Sequence, residues 1–124
     1  LNQGYDCEID LWVVNSELYL GHDEPQYLVD EQFINQIGLW IHAKNLAAFR
    51  WLRNTHTNYF WHENDQFTLT SQKWIWTFPG MDLTSISVMV MPEMADKTLS
   101  ICKNAQCYAI CSDYVELISL DRRR

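Results

Sequence analysis

Apolar and polar positions alternate from Tyr5 to Leu11 and the chain stays apolar to Val14, in a run rich in β-branched and aromatic side chains that predicts a strand. Leu18 to Gly21 predicts a second strand, with Asn15-Ser16-Glu17 turning between the two. Alternate residues of a strand share a face, so Glu8 and Asp10 point one way while Cys7, Ile9 and Leu11 point the other. Two carboxylates on one face of an otherwise apolar strand are costly unless water, a cation or a base partners them. His22-Asp23 closes the second strand, within reach of the same space.

The pattern then changes period. Val29, Phe33, Ile34 and Ile37 suit one face of a helix over Gln26–Gly38, ended by Gly38. Leu39 to Lys44 predicts a strand with Trp40, His42 and Lys44 on one face, and Asn45 can cap a helix over Leu46–Arg53. Asn58 to His62 predicts a further strand, and Asn64 to Thr70 a loop with at most a short β segment. Lys73–Phe78 predicts a strand stopped by Pro79-Gly80, and Ser85–Met91 one stopped by Pro92-Glu93. A helix over Ala95–Lys103, a strand over Cys107–Cys111 and a helix over Tyr114–Leu120 complete the reading.

These are seven strands, ending near Val14, His22, Lys44, His62, Phe78, Glu93 and Asp113, with apolar bodies and polar C-terminal ends. That distribution predicts one α/β domain over residues 1–124, a compact and degenerate β/α barrel of the TIM type. A barrel of that type takes about 250 residues, so several helices must be shortened or lost.

Composition narrows the function classes. Nine basic residues against 16 acidic give a net charge of -7, which argues against non-specific nucleic-acid binding. Arg122-Arg123-Arg124 reads as a solvated basic terminus. No apolar run approaches the roughly 20 residues of a membrane span. Leu1-Asn2-Gln3-Gly4 lacks the basic and apolar regions of a signal peptide, and the absence of an initiator Met suggests a start inside a longer chain. Cys7, Cys102, Cys107 and Cys111 form no zinc-like spacing and read as reduced thiols of a cytoplasmic protein.

Glu8-Ile9-Asp10, a short turn, and then Gly21-His22-Asp23 resemble the glycerophosphodiester phosphodiesterases and the wider phospholipase-C-like phosphodiesterase superfamily. The resemblance continues through Leu39–Asn45, Tyr59–His62, Thr68 to Gly80, Val90–Glu93 and Ile110–Asp113, as a compact branch of that superfamily. It implies a divalent cation on Glu8 and Asp10, His22 as a general acid or base with Asp23 orienting it, and Lys44 on phosphate. The family has Glu-x-Lys where this chain has His42-x-Lys44. An imidazole third ligand moves preference from Mg²⁺ or Ca²⁺ towards Zn²⁺ or Mn²⁺ and removes a negative charge. His62 is a further candidate, as phosphate contact or replacement acid.

Glu93 and Asp113 read as rim residues and His56 as surface, while Trp40, Trp61, Trp74 and Trp76 read as core or pocket lining. The family's first strand carries His-Arg, followed by Glu-Asn; neither stands here, so strand one of eight is expected to be missing. Two open barrel edges would then pair with another chain, predicting a homodimer. The implied function is metal-assisted hydrolysis of a small phosphodiester. The alternative is an inactive barrel that binds a phosphorylated ligand or a protein partner.

Overall fold

A two-residue turn decides the first half of the chain. Asn15 and Ser16 both take positive φ, 51° and 66°, the conformation that matches the twist of a tight hairpin. They join β1 (Cys7–Val14) to β2 (Glu17–Leu20), which run antiparallel with Val14 opposite Glu17 and Leu11 opposite Leu20. A short β3 (Tyr27–Val29) adds antiparallel to β2. On the other side of β1 lie β4 (Leu39–Ala43) and β5 (Asn58–Phe60), both parallel, reached by crossovers containing α1 (Glu31–Ile34) and α2 (Leu46–Leu52). The sheet order is β3-β2-β1-β4-β5.

The computed structural model describes the backbone of residues 1–123 and the side chains of residues 1–120, so the side chains of the expected basic terminus Arg122–Arg124 lie outside what is described. The chain forms two compact units. The first comprises Leu1–Glu63 with Thr70–Gln72, and holds the sheet just given. Its core is one face of that sheet packed on the two helices: Leu11, Leu39, Ile41 and Ala43 meet Ile34, Ala48 and Leu52, all buried. Asn45 ties α2 to β1. Its Oδ1 accepts from the amides of Ala48 (2.9 Å) and Val13 (3.3 Å), and its Nδ2 donates to the Val13 carbonyl (3.0 Å).

The second unit takes residues 64–69 and the chain from Lys73 onward. It holds β6 (Phe67–Leu69), β7 (Ile75–Thr77), β8 (Ser87–Val90) and β9 (Ala109–Cys111) in that order, with β6 antiparallel and the others parallel, followed by α3 (Val115–Arg123). Met89, Cys102 and Ile118 form its buried cluster, with Leu83, Leu99, Cys107 and Ile110 against it.

The barrel expected from the sequence is not there. Among the described residues two open sheets stand in its place, of five and four strands, and both are mixed. The reason is local. A parallel neighbour needs a crossover of about a dozen residues, and a two-residue turn can only reverse the chain. The edges from which a homodimer was expected are replaced by the edge strands β3, β5, β6 and β9. The helix expected over Gln26–Gly38 is β3 followed by the single turn of α1, and within that expected over Ala95–Lys103 only the 3-10 turn Ser100–Cys102 forms, after another at Pro92–Met94. No helix among the described residues is long and apolar enough to cross a membrane.

Candidate functional site

The face of the first sheet that turns away from α1 and α2 carries the chemistry. Glu8 and Asp10 alternate with the core residues Ile9 and Leu11 on β1, and the parallel register sets Glu8 beside Trp40 and Asp10 beside His42. The next pairing sets His42 beside Phe60 on β5. One ligand atom from each of Glu8, Asp10 and His42 lies within 4.8 Å of the others.

Asp10 is the centre of the group. Its Oδ2 is 3.1 Å from His22 Nδ1 and its Oδ1 is 3.2 Å from His42 Nδ1. The side chains of Asp10 and His42 are each 14% exposed, whereas His22 is 82% exposed. Burial pushes the Asp10 carboxyl up, but hydrogen bonds from His42, His22 and Glu8 outweigh it and hold the group at about 2. Glu8 moves the other way. Its side chain reaches solvent, but crowding of the carboxyl end, the Asp10 charge beside it and their shared hydrogen bond push it up to about 8, against the opposing pull of the Lys44 ammonium. The two carboxyls thus behave as a pair in which Glu8 keeps the proton.

The loop that carries His22 is set by Gly21. A Cβ there would collide with the Glu24 carbonyl oxygen, so no other residue fits that turn. The Gly21 amide donates to the Asp10 carbonyl (3.3 Å), and the Trp12 indole donates to the Gly21 carbonyl (2.7 Å). His22 Nδ1 faces Asp10, so in the neutral ring Nε2 is left to give or take a proton, in the manner of an oriented histidine base. Asp23 Oδ1 stands 3.9 Å from Nε2, too far for a hydrogen bond.

His42 is held from behind. Its Nε2 lies 3.0 Å from the main-chain carbonyl of His62, and its ring stacks on those of His62 (centroids 4.7 Å apart) and Phe60 (5.3 Å). A carbonyl only accepts, so Nε2 carries the hydrogen. In the neutral ring the Nδ1 lone pair then points at a carboxylate oxygen, an arrangement that a proton or a cation between them relieves.

All six sequence-predicted site residues lie in the first unit. Glu8, Asp10, His22 and His42 form one contact group, and Lys44 acts on it through its charge on Glu8. His62 enters through its carbonyl and its ring stack. Glu93 and Asp113 belong to the second unit, where the Glu93 carboxylate accepts from the Ser112 hydroxyl (2.8 Å) and the Asp113 amide (3.3 Å). Phe60, Trp12 and Gly21 were not among the sequence candidates. For Trp12 the signal was present, since it continues the Glu8–Asp10 alternation. The chain matches no protein-family model, no curated protein and no solved structure.

Proposed function

We propose that this chain binds a divalent cation through Glu8, Asp10 and His42 and hydrolyses a small phosphodiester of the glycerophosphodiester type. The observation that carries the reading is the position of Asp10, whose two carboxylate oxygens face two different imidazoles while a ligand atom of Glu8 lies within 4.8 Å. The substrate class comes from the likeness of Glu8-Ile9-Asp10 and Gly21-His22-Asp23 to the phosphodiesterases; the barrel of that family is no part of the proposal.

The donor set fits a cation. Two carboxylates and one imidazole nitrogen converge, and His42 donates its other ring N–H to a carbonyl, the usual support of a metal-bound histidine. A bound cation would supply charge to a phosphoryl oxygen. Glu8, Asp10 and His42 would hold it. His22, oriented by Asp10, takes at Nε2 the proton of a substrate hydroxyl that attacks phosphorus and returns it to the leaving oxygen, closing a cyclic phosphate, which water then opens by the reverse transfers. The Lys44 ammonium meets the phosphate charge. The cysteine spacing supports a reducing, cytoplasmic setting.

The test is hydrolysis of a generic phosphodiester with and without chelator, repeated on Glu8→Ala and His22→Ala. Turnover that requires the cation and both side chains is expected; turnover indifferent to chelator and to both substitutions would sink the reading. A second reading, binding of a phosphorylated ligand without turnover, is favoured by His42 standing where the family has a carboxylate. It predicts ligand affinity with no product.

A further inference from the structure

The choice of cation turns on which nitrogen His42 presents, and that is set by residues outside the cation cluster. Phe60 and His62 both lie against the His42 ring and against each other in a near-parallel group, with interplanar angles of 13° and 15° to His42 and 22° between themselves. Phe60 is 1% exposed and follows from the β4–β5 register, so its ring is fixed by the sheet. The His62 carbonyl, two residues on, occupies Nε2. The ring orientation is thus set by the carbonyl at Nε2 and the Asp10 carboxylate at Nδ1, with Phe60 and His62 packed against it.

We propose that Phe60 and His62 are positioning residues that hold His42 with Nε2–H on the His62 carbonyl and Nδ1 towards Glu8 and Asp10, making this a nitrogen-and-oxygen site selective for borderline ions such as Co²⁺ or Zn²⁺ over Mg²⁺ and Ca²⁺. The inference rests on the cation-binding half of the proposed function and narrows it. Imidazole nitrogen favours the later first-row ions, whereas Mg²⁺ and Ca²⁺ favour all-oxygen sets. Groups that hold a ligating histidine from behind are worth about 10- to 100-fold in metal affinity. The positioning proposed here uses the main-chain carbonyl and the stacked ring of His62, both of which His62→Phe keeps.

Two measurements test this on the full chain. The first is the tautomer of His42 in the chelator-treated protein, read from long-range ¹H–¹⁵N NMR at about pH 8, where an ordinary imidazole is neutral. Hydrogen on Nε2 is expected, whether or not Nδ1 also holds a proton against Asp10; an Nε2 without hydrogen overturns the proposal. The second is calorimetric and visible-absorption titration with Co²⁺, and calorimetry with Mg²⁺, of wild type, His62→Phe and His62→Ala. Wild type should prefer Co²⁺ by at least tenfold, His62→Phe should match it, and His62→Ala should lose about tenfold with an altered cobalt spectrum. Equal Co²⁺ and Mg²⁺ affinity overturns the selectivity but leaves the proposed function standing. Loss in His62→Phe as large as in His62→Ala makes the His62 ring a ligand and overturns the positioning role, as does an unchanged His62→Ala. No binding of either ion removes both the inference and the reading beneath it.

Discussion

Replacing Asp10 by Asn tests the centre of the site through stability alone. The change keeps the shape of the side chain and removes the charge that His22 and His42 face at 3.1 and 3.2 Å. The carboxyl is held at about 2 against an ordinary 3.8. At about 1.36 kcal/mol per pKa unit this is worth roughly 2 kcal/mol, nearer 1 once the solvent around exposed His22 is allowed for. The sign follows from a depressed acid: the contribution is present above pH 3.8 and is lost as pH falls towards about 2. Glu8 runs opposite. With its pKa raised from 4.5 to about 8, its contribution is present below pH 4.5 and is lost as pH rises towards 8. These two groups together place the greatest stability of the cation-free protein near pH 4–5, more acidic than the usual range of about 5–8. Asp10→Asn should remove the acid limb and, by deleting the charge beside Glu8, shrink the alkaline one. The assay is urea unfolding in chelator from pH 2 to 9, followed by tryptophan fluorescence. A variant whose stability runs parallel to wild type from pH 2 to 5 would refute the reasoning.

Other substitutions test the scaffold. Asn45→Ala removes the α2 cap and both hydrogen bonds to Val13, and should lower stability by about 1–2 kcal/mol in thermal or urea melts. Leu52→Ala, at a fully buried position, should cost about 2–5 kcal/mol in the same melts. Gly21→Ala forces the 21–24 turn to shift, so the His22 imidazole resonances should change and phosphodiester turnover should fall, while the Co²⁺ affinity of the Glu8, Asp10 and His42 group stays within about threefold. Glu8→Gln keeps a hydrogen-bond donor for Asp10 without the charge; it should flatten the alkaline decline in urea stability between pH 5 and 8 and weaken cation binding in calorimetry.

The alternation of β1 alone determined that Glu8 and Asp10 share a face opposite Leu11, because side-chain direction in a strand depends only on parity. The Asn45 cap was legible for a similar reason, since its chemistry is local. The direction of β2 was legible too, in the two residues of its turn, but the polar strand ends were read as a barrel rim instead. Tyr27–Val29 became a strand because the edge of β2 offered backbone partners that outweighed a weak helical period. Nothing in the order of residues says that the carbonyl of His62 meets His42, or that Phe60 lies against its ring. Every residue has a carbonyl, and only the register between β4 and β5 selects the one that orients this imidazole.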